Sequence, residues 1–279
     1  NKPYFQKGVL DQGYWPDGLY TPPCDEAMIY DIQKMKDLGF NMIRKHIKIE
    51  PQRWYYHCDR IGMLVWQDMV NGGREYKSWY VTWLATAMEG THIRAKDTRL
   101  HLMGRQDPTG QKQFESEMKE TIRRLYNHPS VVTWVIFNEG WGQFKTRKMT
   151  DIALAEDHTR LIDIKSIHDY FFPLNITPEK RVTALTEFGG YSLQIPKHSM
   201  YEKDIYGYKI FKRKKDLSRA YEKLIKKLVI PNISRGLSAT VYTQLSDIEE
   251  EVNGILSYDR KIVKIDENVV REWNEKLHF

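Results

Sequence analysis

The stretch that most restricts how this chain can fold is Val131 to Phe137, VVTWVIF, a short and near-continuous apolar run rich in β-branched and aromatic residues. A run of this kind reads as a strand covered on both faces, and such strands belong to parallel sheets flanked by helices. His128-Pro129-Ser130 precedes it, and Asn138-Glu139 follows it before Gly140 and Trp141. Open and closed α/β sheets place their sites at the carboxyl ends of strands, so Glu139 stands where a catalytic carboxylate would. A glutamate there also serves to cap a following helix, and this stretch alone does not choose between the two roles.

A second run of the same kind tips the choice. Arg181 to Gly190, RVTALTEFGG, ends a β-branched apolar segment in Thr186-Glu187 and then turns on a glycine pair. Two strand-end glutamates suit retaining glycoside hydrolysis. One carboxylic acid protonates the departing glycosidic oxygen, while the other, held about 5 Å away, attacks the anomeric carbon to form a covalent glycosyl-enzyme. Burial and mutual repulsion then separate their proton affinities, so that one starts protonated and the other ionised.

The rest of the chain alternates strand and helix patterns, as parallel βα units require. Strands are expected at Gln6 to Leu10, Asn41 to Lys45, Met63 to Gln67 and Leu237 to Thr243. Helices are expected at Asp25 to Leu38, opened by an Asp cap and closed by Gly39, and at Pro51 to Ile61, Gln111 to Tyr126 and Asp216 to Leu228. The connection from Met69 to Thr109, rich in Trp79, Tyr80, Trp83 and glycine, is too long for an ordinary βα loop and is expected to build part of a site or a lid. Between Thr146 and Tyr170 the pattern breaks, because Arg160 to Asp163 and Ile164 to His168 both read as strands with nothing between them. Parallel neighbours need a crossover of about a dozen residues. The expectation is that residues are absent between Asp163 and Ile164, rather than that a connection has been lost.

NHPSVVTWVIFNE closely resembles the acid/base signature of glycoside hydrolase family 2, which includes β-galactosidases, β-glucuronidases and β-mannosidases. TEFGG is similar to that family's nucleophile strand, NMIR at Asn41 to Arg44 to its second-strand motif, and DRIGMLVWQD at Asp59 to Asp68 to its third-strand approach. YTQLSDIEEEVNGILSYDRK at Tyr242 to Lys261 is similar to its eighth-strand region. The resemblance implies a (β/α)8 TIM barrel over residues 1–279, a size that accords with the ~250 residues typical of that fold. It implies Glu139 as general acid/base, Glu187 as nucleophile, Asn138 as the contact to the sugar 2-hydroxyl, and Tyr170 in the His168-Asp169-Tyr170 strand end as the phenol beside the nucleophile. Arg44 matches directly, and an always-charged guanidinium next to a carboxylate both orients it and lowers its pKa. His168, Asp68, Gln244 and Asp247, at or just beyond strand ends, are further candidates for substrate contact. Trp141 is the expected platform for the apolar face of a sugar, whereas Trp66 and Trp134 fall within strands and read as core. The family's His-Tyr-Pro triplet after the second-strand Arg is replaced by Lys45-His46-Ile47, so His46 does not transfer as a pocket residue.

The resemblance also implies that sugar-binding and immunoglobulin-like β-sandwich domains accompany the barrel in the full-length protein, and it is compatible with a bacterial periplasmic or secreted location. The substrate class is carbohydrate. The net charge of +6 is spread over amphipathic segments, which indicates a solvated surface rather than a nucleic-acid partner. No run of 18 apolar residues points to a membrane. Cys24 and Cys58 lack zinc or redox spacing and are expected as free thiols. No HExxH, phosphate-binding or dinucleotide-binding pattern occurs, and Gly8-Val9-Leu10-Asp11-Gln12 offers no His-x-His pair, so neither metal nor cofactor is expected. A related retaining barrel glycosidase and a non-catalytic glycan-binding relative stay open as alternatives.

Overall fold

The structure is a computed structural model that describes residues 2–84, 96–138, 142–162, 164–170, 174, 176, 180–203 and 205–279. Its strands are β1 (Gln6–Asp11), β2 (Met42–Lys45), β3 (Leu64–Asp68), β4 (Val131–Val135), β5 (Lys165–Asp169), β6 (Thr183–Gly189), β7 (Tyr191–Ser192), β8 (Lys209–Ile210) and β9 (Leu237–Thr243). The α-helices are α1 (Asp25–Asp37), α2 (Gln52–Ile61), α3 (Pro108–Leu125), α4 (Thr146–Glu156), α5 (Lys214–Leu224), α6 (Ile230–Ile233) and α7 (Glu267–Glu275). The chain forms two compact units, Asn1–His46, Glu50–Val65 and Asp163–Phe279 in one, Ile47–Ile49 and Trp66–Ile162 in the other.

In the first unit five parallel strands run in the order β2-β1-β9-β6-β5. β3 starts beside β2, with the Leu64 N–H donating to Asn41 O at 3.0 Å. The register sets Leu10 level with Arg44, His168 level with Glu187, and Gly189 level with Thr243, so the polar strand ends emerge together. Below them Val9, Ile43, Leu185 and Val241 have no exposure. Helix α1 buries Met28, Ile32 and Met35 at the four- and three-residue spacing of one helical face, each contributing about 1.5–3 kcal/mol relative to exposure. A buried polar chain joins three helices: Tyr221 of α5 donates to Asn274 Oδ1 at 2.6 Å, and Asn274 of α7 donates to Leu38 O at the end of α1 at 2.9 Å.

In the second unit the Met69 N–H after β3 donates to Val135 O of β4 at 2.8 Å. Asp107 caps α3 by accepting from the Thr109 N–H, with Pro108 at the first helical position, where its missing N–H costs nothing. Phe114, Met118, Ile122 and Leu125 form the buried stripe of α3. Within the long connection, Tyr80, Val81, Leu102 and Met103 make a small core of their own, and the Tyr80 hydroxyl exchanges hydrogen bonds with the Lys96 backbone.

Three expectations are corrected. Seven strands, not eight, form the parallel sheet among the described residues. The expected strand Arg160 to Asp163 is reduced to one parallel bridge between Leu161 and Thr133, because Arg160 is committed to the carbonyls of Tyr126, His128 and Val131. Asp163 lies outside the described residues, and so does the junction with Ile164. Asp25 does not cap α1; its carboxylate meets His57 Nε2 at 3.1 Å and Arg53 Nε at 3.2 Å, and Cys24 occupies the cap position with no side-chain bond. Cys24 and Cys58 are free thiols. No helix among the described residues is long and apolar enough to cross a membrane.

Asp157, 0% exposed, ties the second unit together. It accepts from the Thr159 N–H and hydroxyl, from Trp134 Nε1 at 2.9 Å and from Arg160 Nη1 at 2.7 Å. Burial pushes its carboxyl up, but these donors together outweigh burial and hold it well below the usual range. A depressed folded-state pKa contributes stability above the unfolded value of about 3.9, and that stability is lost as pH falls towards the folded value. Asp157→Ala should lower the unfolding free energy by about 3 kcal/mol at pH 7, with the gap to the parent protein narrowing below pH ~4. Urea titrations at several pH values check this, and an unchanged midpoint would refute it.

Candidate active site

Glu187 sits at the end of the buried strand β6 and is itself 7% exposed. Arg44 Nη1, from the end of β2, donates to its Oε1 at 3.2 Å and to Thr186 O at 3.1 Å. The Tyr170 hydroxyl donates to Oε2 at 2.7 Å, and His168 Nδ1 lies 3.4 Å from the same oxygen, an electrostatic contact rather than a strong hydrogen bond. Burial pushes the Glu187 carboxyl up, but His168, Arg44 and His46 overcome it and hold the group well below the usual carboxylate range. The result is an ionised carboxylate in a nearly dry place.

Tyr170 keeps its proton for the complementary reason: burial, then the charge of Glu187, raises the phenol well above its ordinary value. Its hydroxyl is also 3.1 Å from Thr243 Oγ1, and its ring stacks on Tyr208 with centroids 3.5 Å apart and planes at 9°. The glycine pair after Glu187 is required by this packing. Gly189 (φ +88°) and Gly190 (φ +57°) both take left-handed conformations, and a Cβ would come within 2.4 Å of Tyr242 and 2.3 Å of Tyr208 respectively.

Lys45, next to Arg44, explains how this chain departs from the His-Tyr-Pro pattern. Its ammonium is buried between Asp11 and Glu50, 2.9 Å from Glu50 Oε1 and 4.4 Å from the centroid of Trp54. Burial opposes its charge, yet the two carboxylates win and raise its pKa. The salt bridges fix the end of β2, and with it Arg44.

Beyond β9 a network of amides surrounds a third carboxylate. Gln244 Oε1 accepts from Gln12 Nε2 at 3.0 Å, while Gln244 Nε2 donates to Glu251 Oε2 at 2.7 Å and to Asn253 Oδ1 at 2.8 Å. Asp247 is engaged elsewhere: it accepts from the Gly254 N–H and pairs with Lys264, which also donates to Leu193 O and Val252 O. Burial pushes Asp247 up to about 6 despite that lysine. These bonds shape the loop that carries Glu251.

In the second unit, Asp68 ends β3 and is 1% exposed, and Asn138 is half-buried with its carbonyl accepting from Gln143 Nε2 at 2.6 Å. Arg105 Nε donates to Gly142 O at 2.7 Å, and the Gly142 N–H donates to Met103 O. Glu139 and Trp141 lie outside the described residues. Trp66 and Trp134 are buried in the core, as their places in strands imply.

Of the expected residues, the first unit thus brings Arg44, His168 and Tyr170 onto Glu187, with Gln244 one residue beyond Thr243. Sequence reasoning passed over Gln12, Thr243, Tyr208, Glu251 and Asn253. The stretch Glu249-Glu250-Glu251 reads as a solvated acidic run, and only the position of Asn253 two residues on hints that one of its members turns inward.

Residues 24–185, more than half of the chain, match the family described as glycosyl hydrolases family 2, TIM barrel domain, and the chain belongs to that family. The β-galactosidase of Lactococcus lactis subsp. lactis is 28% identical over 137 residues, 49% of this chain and 11% of that protein. Two solved structures share the fold over nearly the whole chain. A GH2 β-galacturonidase from Eisenbergiella tayi bound to galacturonate has a TM-score of 0.68 at 18% identity, covering 98% of this chain and 51% of the other. A β-D-glucuronidase from Dictyoglomus thermophilum has a TM-score of 0.70 at 16% identity, covering 99% and 51%. The chain spans about half of these structures and about a tenth of the curated relatives it matches.

Because cations hold Glu187 ionised, the acidic limb of any activity that needs this carboxylate should lie below the ordinary glutamate value of about 4.3. Arg44→Met should move that limb upward by about one pH unit or more, as loss of an opposite charge within 4–6 Å does. A pH profile of kcat/KM checks it; an unmoved limb would show that Arg44 does not set the ionisation.

Proposed function

We propose that the chain is the catalytic domain of a retaining β-glycosidase acting on terminal β-linked sugars, in the manner of a β-galactosidase. The observation that carries this reading is the ionised Glu187 at the end of β6, held by Arg44, Tyr170 and His168, in a chain of family 2. Glu187 attacks the anomeric carbon as Glu139 protonates the glycosidic oxygen, which departs with the aglycone. Glu139, now a base, takes a proton from water, and the resulting hydroxide character displaces Glu187 from the sugar. Tyr170 and Arg44 hold the carboxylate in line for attack and receive its charge back when the sugar leaves. Asn138, Trp141, Asp68, Gln244 and Asp247 are assigned to the sugar pocket, Asp247 acting through the loop it braces. The reading requires Glu139 and Glu187 about 5 Å apart; a gap of about 6.5–9.5 Å belongs to inversion. The small share of its relatives that the chain covers supports accessory β-sandwich domains as partners of this one.

The test is chemical rescue. In the intact protein that carries this chain, Glu187→Ala should lose turnover of an aryl β-galactoside by several orders of magnitude, and added azide should restore it with a glycosyl azide of inverted configuration. Full activity without azide would sink the assignment of Glu187.

A further inference from the structure

Glu187 has a carboxylate neighbour that the two-glutamate mechanism does not use. Glu251 is half-buried on the loop after β9. Its Oε2 accepts from Gln244 Nε2 at 2.7 Å and lies 3.4 Å from Gln12 Nε2, whereas Oε1 accepts no hydrogen bond from the described residues. Gln244 leaves little freedom in this arrangement. Both Nε2 hydrogens go to acceptors, Glu251 Oε2 and Asn253 Oδ1, and its Oε1 receives Gln12, so the amide has one orientation and holds the carboxylate in one place. The peptide before Gln244 belongs to Thr243, whose hydroxyl is 3.1 Å from the Tyr170 hydroxyl, and Tyr170 donates to Glu187. Burial first, and then the charges of Glu187 and Glu250, raise the Glu251 carboxyl above its ordinary value against the pull of Gln244 and His46, and His46 also bears on Glu187.

The charge balance around them is one-sided. The buried cations of the first unit are each matched by a carboxylate: Arg44 by Glu187, Lys45 by Asp11 and Glu50, Arg260 by Asp31, and Lys264 by Asp247. Glu251 has no ion pair among the described residues; amides order it, and His46 only partly offsets its charge. A sugar hydroxyl meets there a fixed acceptor, whereas a sugar carboxylate meets like charge, and like charges brought together cost several kcal/mol.

We infer that Glu251 is a specificity-determining residue of the substrate pocket, whose Oε1 accepts from hydroxyls of a neutral sugar and whose charge rejects uronic acids. The inference rests on the hydrolase reading of the same site. It separates this chain from the β-galacturonidase and β-glucuronidase that share its fold.

The experiment compares kcat/KM for the nitrophenyl β-glycosides of galactose, glucose and mannose with those of glucuronic and galacturonic acid, in the intact protein and in Glu251→Gln. In the parent at least one neutral sugar should be favoured by about 100-fold or more over either uronide. Glu251→Gln, which keeps the shape and one acceptor, should raise KM for the neutral sugar by about tenfold and narrow the neutral-to-uronide ratio by at least as much. An unchanged ratio in Glu251→Gln, or a parent enzyme that prefers uronides, overturns the inference while leaving the hydrolase reading in place. Calorimetry with galactonolactone and glucarolactone separates the two ideas. Preferential binding of the neutral lactone that weakens in Glu251→Gln, without turnover of any glycoside, upholds charge selection and removes the hydrolase reading; binding of neither lactone together with no turnover removes both.

Discussion

The ion pair between Arg44 and Glu187 is the interaction to which the first unit is built. Two nearly dry charged groups on different strands are expensive to desolvate, and the expense is recovered only if they meet in good geometry with their other hydrogen-bonding atoms satisfied. The parallel register delivers that geometry. β2 pairs with β1, β1 with β9, and β9 with β6, so the ends that carry Arg44, Thr243 and Glu187 are fixed by ladders of backbone hydrogen bonds rather than by loops. The remaining atoms are then provided for: Arg44 also reaches Thr186 O, and Glu187 also receives Tyr170.

A second consequence is that the surrounding charges must be confined. Lys45 lies next to Arg44 in sequence, and β2 places successive side chains on opposite faces. Asp11, Glu50 and the face of Trp54 enclose its ammonium, so that its charge is spent before it can compete for Glu187. Lys264 with Asp247 and Arg260 with Asp31 are confined in the same way. Burial pushes Asp31 and Asp247 up to about 6, so these two pairs are held less firmly than the Glu187 cluster and would loosen first on acidification.

What the sequence made legible follows the distance over which each signal acts. Strand ends were readable because burial on both faces leaves a continuous apolar run, and the polar residue that breaks the run marks the site; Glu187 was found in this way, whereas Arg44 came from the resemblance of Asn41 to Arg44 to a family motif. Asp25 was misread because an acidic residue at a helix start looks the same whether it caps the helix or pairs with His57 and Arg53 of the next one. The strand expected at Arg160 to Asp163 failed for a similar reason, since the guanidinium of Arg160 takes the carbonyls of a neighbouring turn and nothing local announces that. Glu251 was hidden in an acidic run whose neighbours face water, and its partners Gln12 and Gln244 are 239 and 7 residues away. Pairings of such separation have no local signature.

In the cycle proposed above, the contacts around Glu187 bear unequally on its two halves. Arg44, Tyr170 and His168 stabilise the carboxylate as an anion, and forming a bond to the anomeric carbon takes that charge away, so the same contacts that keep Glu187 ionised resist its attack. In the second half the relation reverses, because the departing group is the carboxylate itself and these three donors await it. Tyr170 is suited to both halves because its raised pKa keeps it a donor throughout, while its stack on Tyr208 and the absence of a Cβ at Gly190 keep it in place when the charge disappears. Under the proposed mechanism these contacts therefore favour release of the sugar over its capture, and capture would fall to Glu139 and to binding of hydroxyls away from the anomeric centre.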